Sequence, residues 1–108
     1  KLLIDINNDY KPNKIYITEN GCSYDYSVNK EKQINDVKRI NYFKSHLLAC
    51  RNAIKKGVPL EGYFHWSLMD NFEWAEGYYH RFGLIHVDYD TYERIPKASF
   101  DWYKNFLS

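Results

Sequence analysis

Apolar positions along this chain change their period several times, and each change marks an element. Ile15-Tyr16-Ile17 is a short apolar run bounded by Pro12-Asn13 and Asn20-Gly21, which predicts a buried strand over Lys14 to Thr18. Residues 23–35 are polar and without period, and read as a long surface loop. From Asp36, a plausible N-cap, the residues Ile40, Phe43, Leu47, Cys50 and Ile54 recur at intervals of 3, 4, 3 and 4, with Val37 extending the stripe. That is one face of a helix, which Gly57 stops and Pro59 keeps from resuming. Leu60 to Leu68 predicts a second strand, and residues 69–81 an irregular aromatic loop. Leu84 to Tyr89 then alternates, with Asp90-Thr91 behind it, so a small hairpin returns through Glu93-Arg94-Ile95. Pro96 suits the first turn of a last helix carrying Phe100, Tyr103 and Leu107. At the other end, Leu2 to Ile6 reads as the tail of a helix with no capping residue before it.

Strand, helix of about 20 residues, strand is a βαβ unit, so the two main strands should be parallel and the class α/β. The 108 residues allow one small core and read as a single piece over 1–108. A complete (β/α)8 barrel needs roughly 250 residues. The expectation is therefore a cut piece, or one chain of a split protein.

Composition removes several functions. The net charge is +1, with no clustered basic excess for nucleic acid. No apolar run approaches membrane-spanning length and no signal peptide is visible. Cys22 follows the first strand, whereas Cys50 lies late on the helix, too far for a disulfide. Free thiols suit a reducing compartment, and a cytoplasmic location is expected. His46, His65, His80 and His86 show no metal-binding spacing, and no metal is expected. His65 alternates away from Trp66 and should face the helical layer.

The chemistry concentrates at two strand ends. Thr18-Glu19-Asn20-Gly21 places a carboxylate at the carboxyl end of the first strand, where parallel α/β folds display reacting groups. Trp66-Ser67-Leu68-Met69-Asp70-Asn71-Phe72-Glu73-Trp74 follows at the end of the second. Indole faces stack on sugar C–H faces, and carboxylates and indole N–H groups meet hydroxyls. Read alone, Glu19 could instead cap a helix or meet a lysine, Trp66 plug a core and Glu73 sit exposed on a loop. Asp70, Asn71, Arg81 and Asp88 look like hydrogen-bonding supports for the loops.

Ile17 to Gly21, Asp36 to Leu48, Gly57 to Leu60, Gly62 to Phe64, Trp66 to Trp74, Arg81 to Gly83 and Val87 to Tyr89, in this order and spacing, resemble the C-terminal part of glycoside hydrolase family 1, the retaining β-glucosidases. The resemblance implies the last two strands of a (β/α)8 TIM barrel with their helices, about its C-terminal quarter. It implies hydrolysis of terminal β-linked glucose or galactose from oligosaccharides or aryl glycosides, with no cofactor. Glu19 would be the nucleophile. Trp66 would stack on the sugar, Glu73 accept from its 4- and 6-hydroxyls, Trp74 donate to its 3-hydroxyl, and Phe82 wall the 6-hydroxymethyl group. A cis peptide bond between Trp66 and Ser67 is also implied. The family's acid/base sits in an Asn-Glu-Pro motif that these residues do not contain. The implied partners are a β-glucoside substrate and the N-terminal part of the barrel. The alternative is a noncatalytic carbohydrate-binding or inactive piece.

Overall fold

Two parallel strands, joined by a 19-residue helix laid against them, form the centre of the molecule. The computed structural model describes all residues, 1–108. In chain order the elements are α1 (Leu2–Tyr10), β1 (Ile15–Asn20), α2 (Val37–Lys55), β2 (Leu60–His65), a 3-10 turn (Trp74–Glu76), β3 (Ile85–Val87), β4 (Arg94–Pro96) and α3 (Ala98–Leu107). β1 pairs with β2 in parallel, and β3 pairs with β4 antiparallel. The βαβ unit and the hairpin are those the periodicity predicts. The class is α/β.

The register of β1 on β2 is uneven, and this bears on the site. Ile17 pairs with Tyr63, but the next partners are Asn20 and His65. Three steps on β1 thus match two on β2, a bulge at Thr18-Glu19. A bulge adds a residue, bends its strand and re-aims the side chains there. Thr18 and Glu19 are both exposed, whereas the flanking Ile17 and Asn20 are partly covered. Gly62 fits the sheet's close face, because a Cβ there would lie 2.6 Å from Tyr16 Cδ1.

Packing of α2 departs from the simple stripe. Phe43 and Ala53 are buried, but Val37 and Ile54, expected on the buried face, are exposed. The covered sector is narrower and lies under Tyr103 of α3, whose ring stacks 4.9 Å from that of Phe43. Gly57 has φ 88 and ends the helix as expected. Asp36 stands at the N-cap position but makes no capping hydrogen bond. Its carboxylate instead accepts from Arg39 Nε at 2.9 Å and Ser99 Oγ at 2.6 Å. Pro96 is not in the first turn of α3 but closes β4, paired with Ile85. α3 begins after Lys97. His65 faces the helical layer, its ring 4.7 Å from that of Phe43. Cys22 and Cys50 are free.

Candidate active site

The carboxyl ends of β1 and β2 are held edge to edge. Trp66 N donates to Asn20 O at 2.9 Å, and a Cβ at Gly21 would overlap the Trp66 carbonyl oxygen. Only glycine admits so close an approach of one backbone to another. Glu19, one residue before this contact and on the bulge, therefore lies beside the start of the Trp66 segment. Its carboxylate is exposed and hydrogen-bonds to no other group of the chain.

The peptide bond between Trp66 and Ser67 is cis. Beyond it the chain doubles back, and Trp66 Nε1 donates to Glu73 Oε2 at 3.4 Å. Glu73 is partly covered, and its backbone N–H donates to Gly77 O at 2.7 Å, closing the turn. Trp74 follows with φ 46 and a side chain 81% exposed. Its indole N–H has no acceptor within the chain and is free to meet a hydroxyl. Phe82 is half-buried, with its ring 6.4 Å from that of His80. Of the five residues singled out in the sequence, Trp66 and Glu73 touch, Glu19 adjoins them through the strand register, and Trp74 is adjacent to Glu73 in the chain. Phe82 is tied to the group through its backbone. Its carbonyl accepts from Ser67 N at 3.2 Å and lies 3.2 Å from His65 Nε2.

A buried charge network holds the loop from below. Asp70, without side-chain exposure, accepts from Lys97 Nζ at 2.9 Å, Arg81 Nη1 at 2.9 Å, Tyr26 Oη at 2.9 Å and Gly83 N at 3.0 Å. Lys97 Nζ also donates to Gly83 O at 2.6 Å and lies 4.4 Å from the centre of the Tyr26 ring. Burial pushes the Asp70 carboxyl up, but Lys97, Arg81 and Tyr26 more than offset this and hold it below the usual carboxylate range. Burial draws the Lys97 ammonium down to about 8, against the attraction of Asp70. Both groups are thus charged at neutral pH. Asn71 and Asp88 act as the supports they resemble. Asn71 Nδ2 donates to Ser67 Oγ at 3.1 Å, and Asp88 Oδ1 accepts from Thr91 N at 2.9 Å to close the hairpin.

A second network centres on Arg39, also without exposure. Its guanidinium donates to the carbonyls of Cys22, Phe82 and Arg81. Arg39, Lys97, Tyr26 and Ser99 escape a reading of the sequence, because polar residues in helices and loops default to the solvent side. The available signal is spacing: Arg39 stands three residues after Asp36 and four before Phe43, on the covered side of α2. No group of three or more His, Cys, Asp or Glu residues is arranged to hold a metal ion.

This arrangement offers an exposed strand-end carboxylate, an indole wall and a second carboxylate on a braced loop, a set suited to a polyhydroxylated ring. The chain is 50% identical over 106 residues to β-glucosidase A of Thermotoga maritima, covering 98% of this chain and 24% of that protein. It is 53% identical over 103 residues to putative β-glucosidase 15 of Oryza sativa subsp. japonica, covering 95% and 29%. A 6-phospho-β-galactosidase of Staphylococcus aureus matches at 52% over 92 residues, covering 84% and 20%. The solved family 1 β-glucosidase of Thermotoga maritima superposes with a TM-score of 0.96 at 49% identity, over 98% of this chain and 24% of that one. The chain thus spans about a quarter of the length of these relatives. The model of the glycosyl hydrolase family 1 matches residues 1–108 throughout, and with these likenesses the chain belongs to that family.

Proposed function

We propose that this chain is the C-terminal quarter of the (β/α)8 barrel of a retaining β-glucosidase and supplies its nucleophile and part of its sugar-binding wall. The observation that supports the reading is the pairing of the two strand ends: Glu19, its carboxylate unpartnered, stands one residue before the backbone contact of Asn20 with Trp66, and Trp66 is hydrogen-bonded to Glu73. In the retaining mechanism one carboxylate attacks the anomeric carbon and forms a glycosyl ester. A second carboxyl, about 5–5.5 Å away, protonates the departing oxygen and then activates water. Glu19 is suited to the first role: it is exposed, its carboxylate is engaged by no other group of the chain, and a strand end aims it rigidly. The second role falls to a residue outside these 108, since no Asn-Glu-Pro occurs among them.

Trp66 stacks on the sugar, Glu73 accepts from its 4- and 6-hydroxyls, Trp74 donates to the 3-hydroxyl and Phe82 borders the 6-hydroxymethyl group. Overall likeness does not choose between plain and phosphorylated sugars, because relatives named for both kinds match at about 50% identity. Glu73 chooses: a carboxylate at that place repels a 6-phosphate and favours an unphosphorylated glucoside or galactoside. The missing motif also favours a second reading for the 108 residues alone, a sugar-binding piece without turnover.

The test uses the full-length protein containing this sequence. An activated 2-fluoro glucoside should leave a stable ester on the peptide bearing Glu19, seen by mass spectrometry. Glu19→Gln should abolish both the label and hydrolysis. Labelling elsewhere, or near-normal turnover by Glu19→Gln, would overturn the assignment.

A further inference from the structure

The Phe82 carbonyl is a junction between the two halves of the site. It accepts from Ser67 N at 3.2 Å and from Arg39 Nη1 at 3.1 Å. The same Arg39 nitrogen donates to the carbonyl of Cys22, three residues beyond Glu19, and Nη2 donates to Arg81 O at 2.9 Å. Arg39 Nε is held by Asp36 Oδ2 at 2.9 Å, and Asp36 is in turn held by Ser99. One planar cation thus grips the segment leaving β1 and the segment closing the Trp66–Phe82 loop. Its orientation is fixed from behind by a carboxylate that is itself tied to α3. The side chain is wholly buried, so water does not compete for these bonds.

Resting on the reading of Glu19 as nucleophile and the Trp66–Phe82 loop as sugar wall, we infer that Arg39 is a positioning residue that fixes the separation between the attacking carboxylate and the wall holding the sugar. A guanidinium is suited to this task and an ammonium is not. Its donors diverge in one plane at fixed angles, so three carbonyls from two segments are set in one relative position. A lysine reaches one or two of them from a flexible stem, and the two segments then shift independently. Displacement of about 1 Å between reacting groups is enough to cost about 10²-fold in rate. Arg39 touches neither Glu19 nor the sugar-facing side chains, so its effect passes through the backbone alone.

The experiment compares Arg39→Lys with Ala53→Gly in the full-length protein. Ala53 is buried on α2 and makes none of these contacts, so its substitution loosens the helix without touching the junction. For Arg39→Lys, kcat per titrated active site on an aryl β-glucoside should fall roughly 10–100-fold with KM changed by less than about threefold. Ala53→Gly, at a similar loss of Tm, should keep its kcat. Amide exchange in the peptides spanning residues 20–26 and 66–83 should quicken together in Arg39→Lys and not in Ala53→Gly. If Arg39→Lys does not fold, Arg39→Gln takes its place under the same criteria. Unchanged exchange in both peptides overturns the inference whatever the activity. So does kcat within twofold of the parent, or an equal loss in Ala53→Gly. If the parent protein itself shows no hydrolysis, the nucleophile reading fails, while the exchange result still decides whether Arg39 couples the two segments.

Discussion

The Lys97 ammonium lies 2.9 Å from Asp70 Oδ1, and neither side chain retains any exposure. Taking two charges from water is expensive, and such a pair is not in itself a large source of stability. Breaking it is another matter. Asp70 also holds Arg81, Tyr26 and Gly83 N, so it carries the network, whereas Lys97 is one of its partners.

Asp70→Asn should therefore destabilise the folded protein by about 3–5 kcal/mol, because Lys97 is left buried without a counter-charge. Lys97→Met should cost less, since Arg81 still neutralises Asp70, Tyr26 still donates to it and the methionine fills the space. Thermal unfolding of both variants in the full-length protein checks the order. A more damaging Lys97→Met would show that Asp70 is not the hub.

His65 predicts an early acid limb. Burial pushes its imidazole down to about 4 from an ordinary value of 6.5. The folded state then resists the proton that the unfolded chain accepts, so stability is present above pH 6.5 and declines as pH falls towards 4. Allowing for its partial exposure, the loss is roughly 1–3 kcal/mol. Asp70, with its lowered carboxyl, adds a further loss only below the ordinary carboxylate range. Comparing Tm at pH 7.5 and pH 5, His65→Gln should lose distinctly less than the parent. Equal losses would remove His65 from the account.

Glu73→Gln keeps the shape of the side chain and removes its charge. Hydrolysis of plain glucosides by the full-length protein should fall roughly 10–100-fold, as a charge-assisted bond to a hydroxyl weakens. Discrimination against 6-phosphorylated substrates should narrow at the same time. Steady-state kinetics on a matched pair of substrates measures both, and an unchanged ratio would contradict the role given to Glu73.

The 108 residues alone should not hydrolyse cellobiose. Its leaving group is an alkoxide that needs a proton, and general acid help is worth roughly 10²–10⁴-fold. Adding the upstream part of the barrel should restore activity, and Glu19→Gln should prevent the restoration. Turnover by the 108 residues unaided would mean that an acid/base group lies among them.

Periodicity makes the βαβ unit, the hairpin and α3 legible, because alternating and helical patterns survive in Leu60–His65, Ile85–Val87 and Phe43–Ala53. It locates Glu19 and Trp66 because both follow apolar runs at strand ends. What it misreads are residues whose partners come from distant segments. Asp36 has the position of an N-cap, yet Ser99, 63 residues away, and Arg39 take its oxygens. Pro96 has the residue type for a helix start, yet pairing with Ile85 draws it into β4. Lys97 is an ordinary surface residue by type, and only the arrival of Asp70 and Gly83 makes its burial tolerable. The one-residue slip at Thr18-Glu19 is likewise set by pairing and not by local pattern.

Gly21 has no functional group, and a survey that scores positions by their chemistry would pass over it. Yet the gap between it and the Trp66 carbonyl is filled by a hydrogen and has no room for a methyl group. The aperture of the site is thereby gauged by the absence of a side chain. Random variants of this stretch should tolerate change at the exposed Thr18 sooner than any replacement at Gly21. The smallest residue at these strand ends is the one with the least room for replacement.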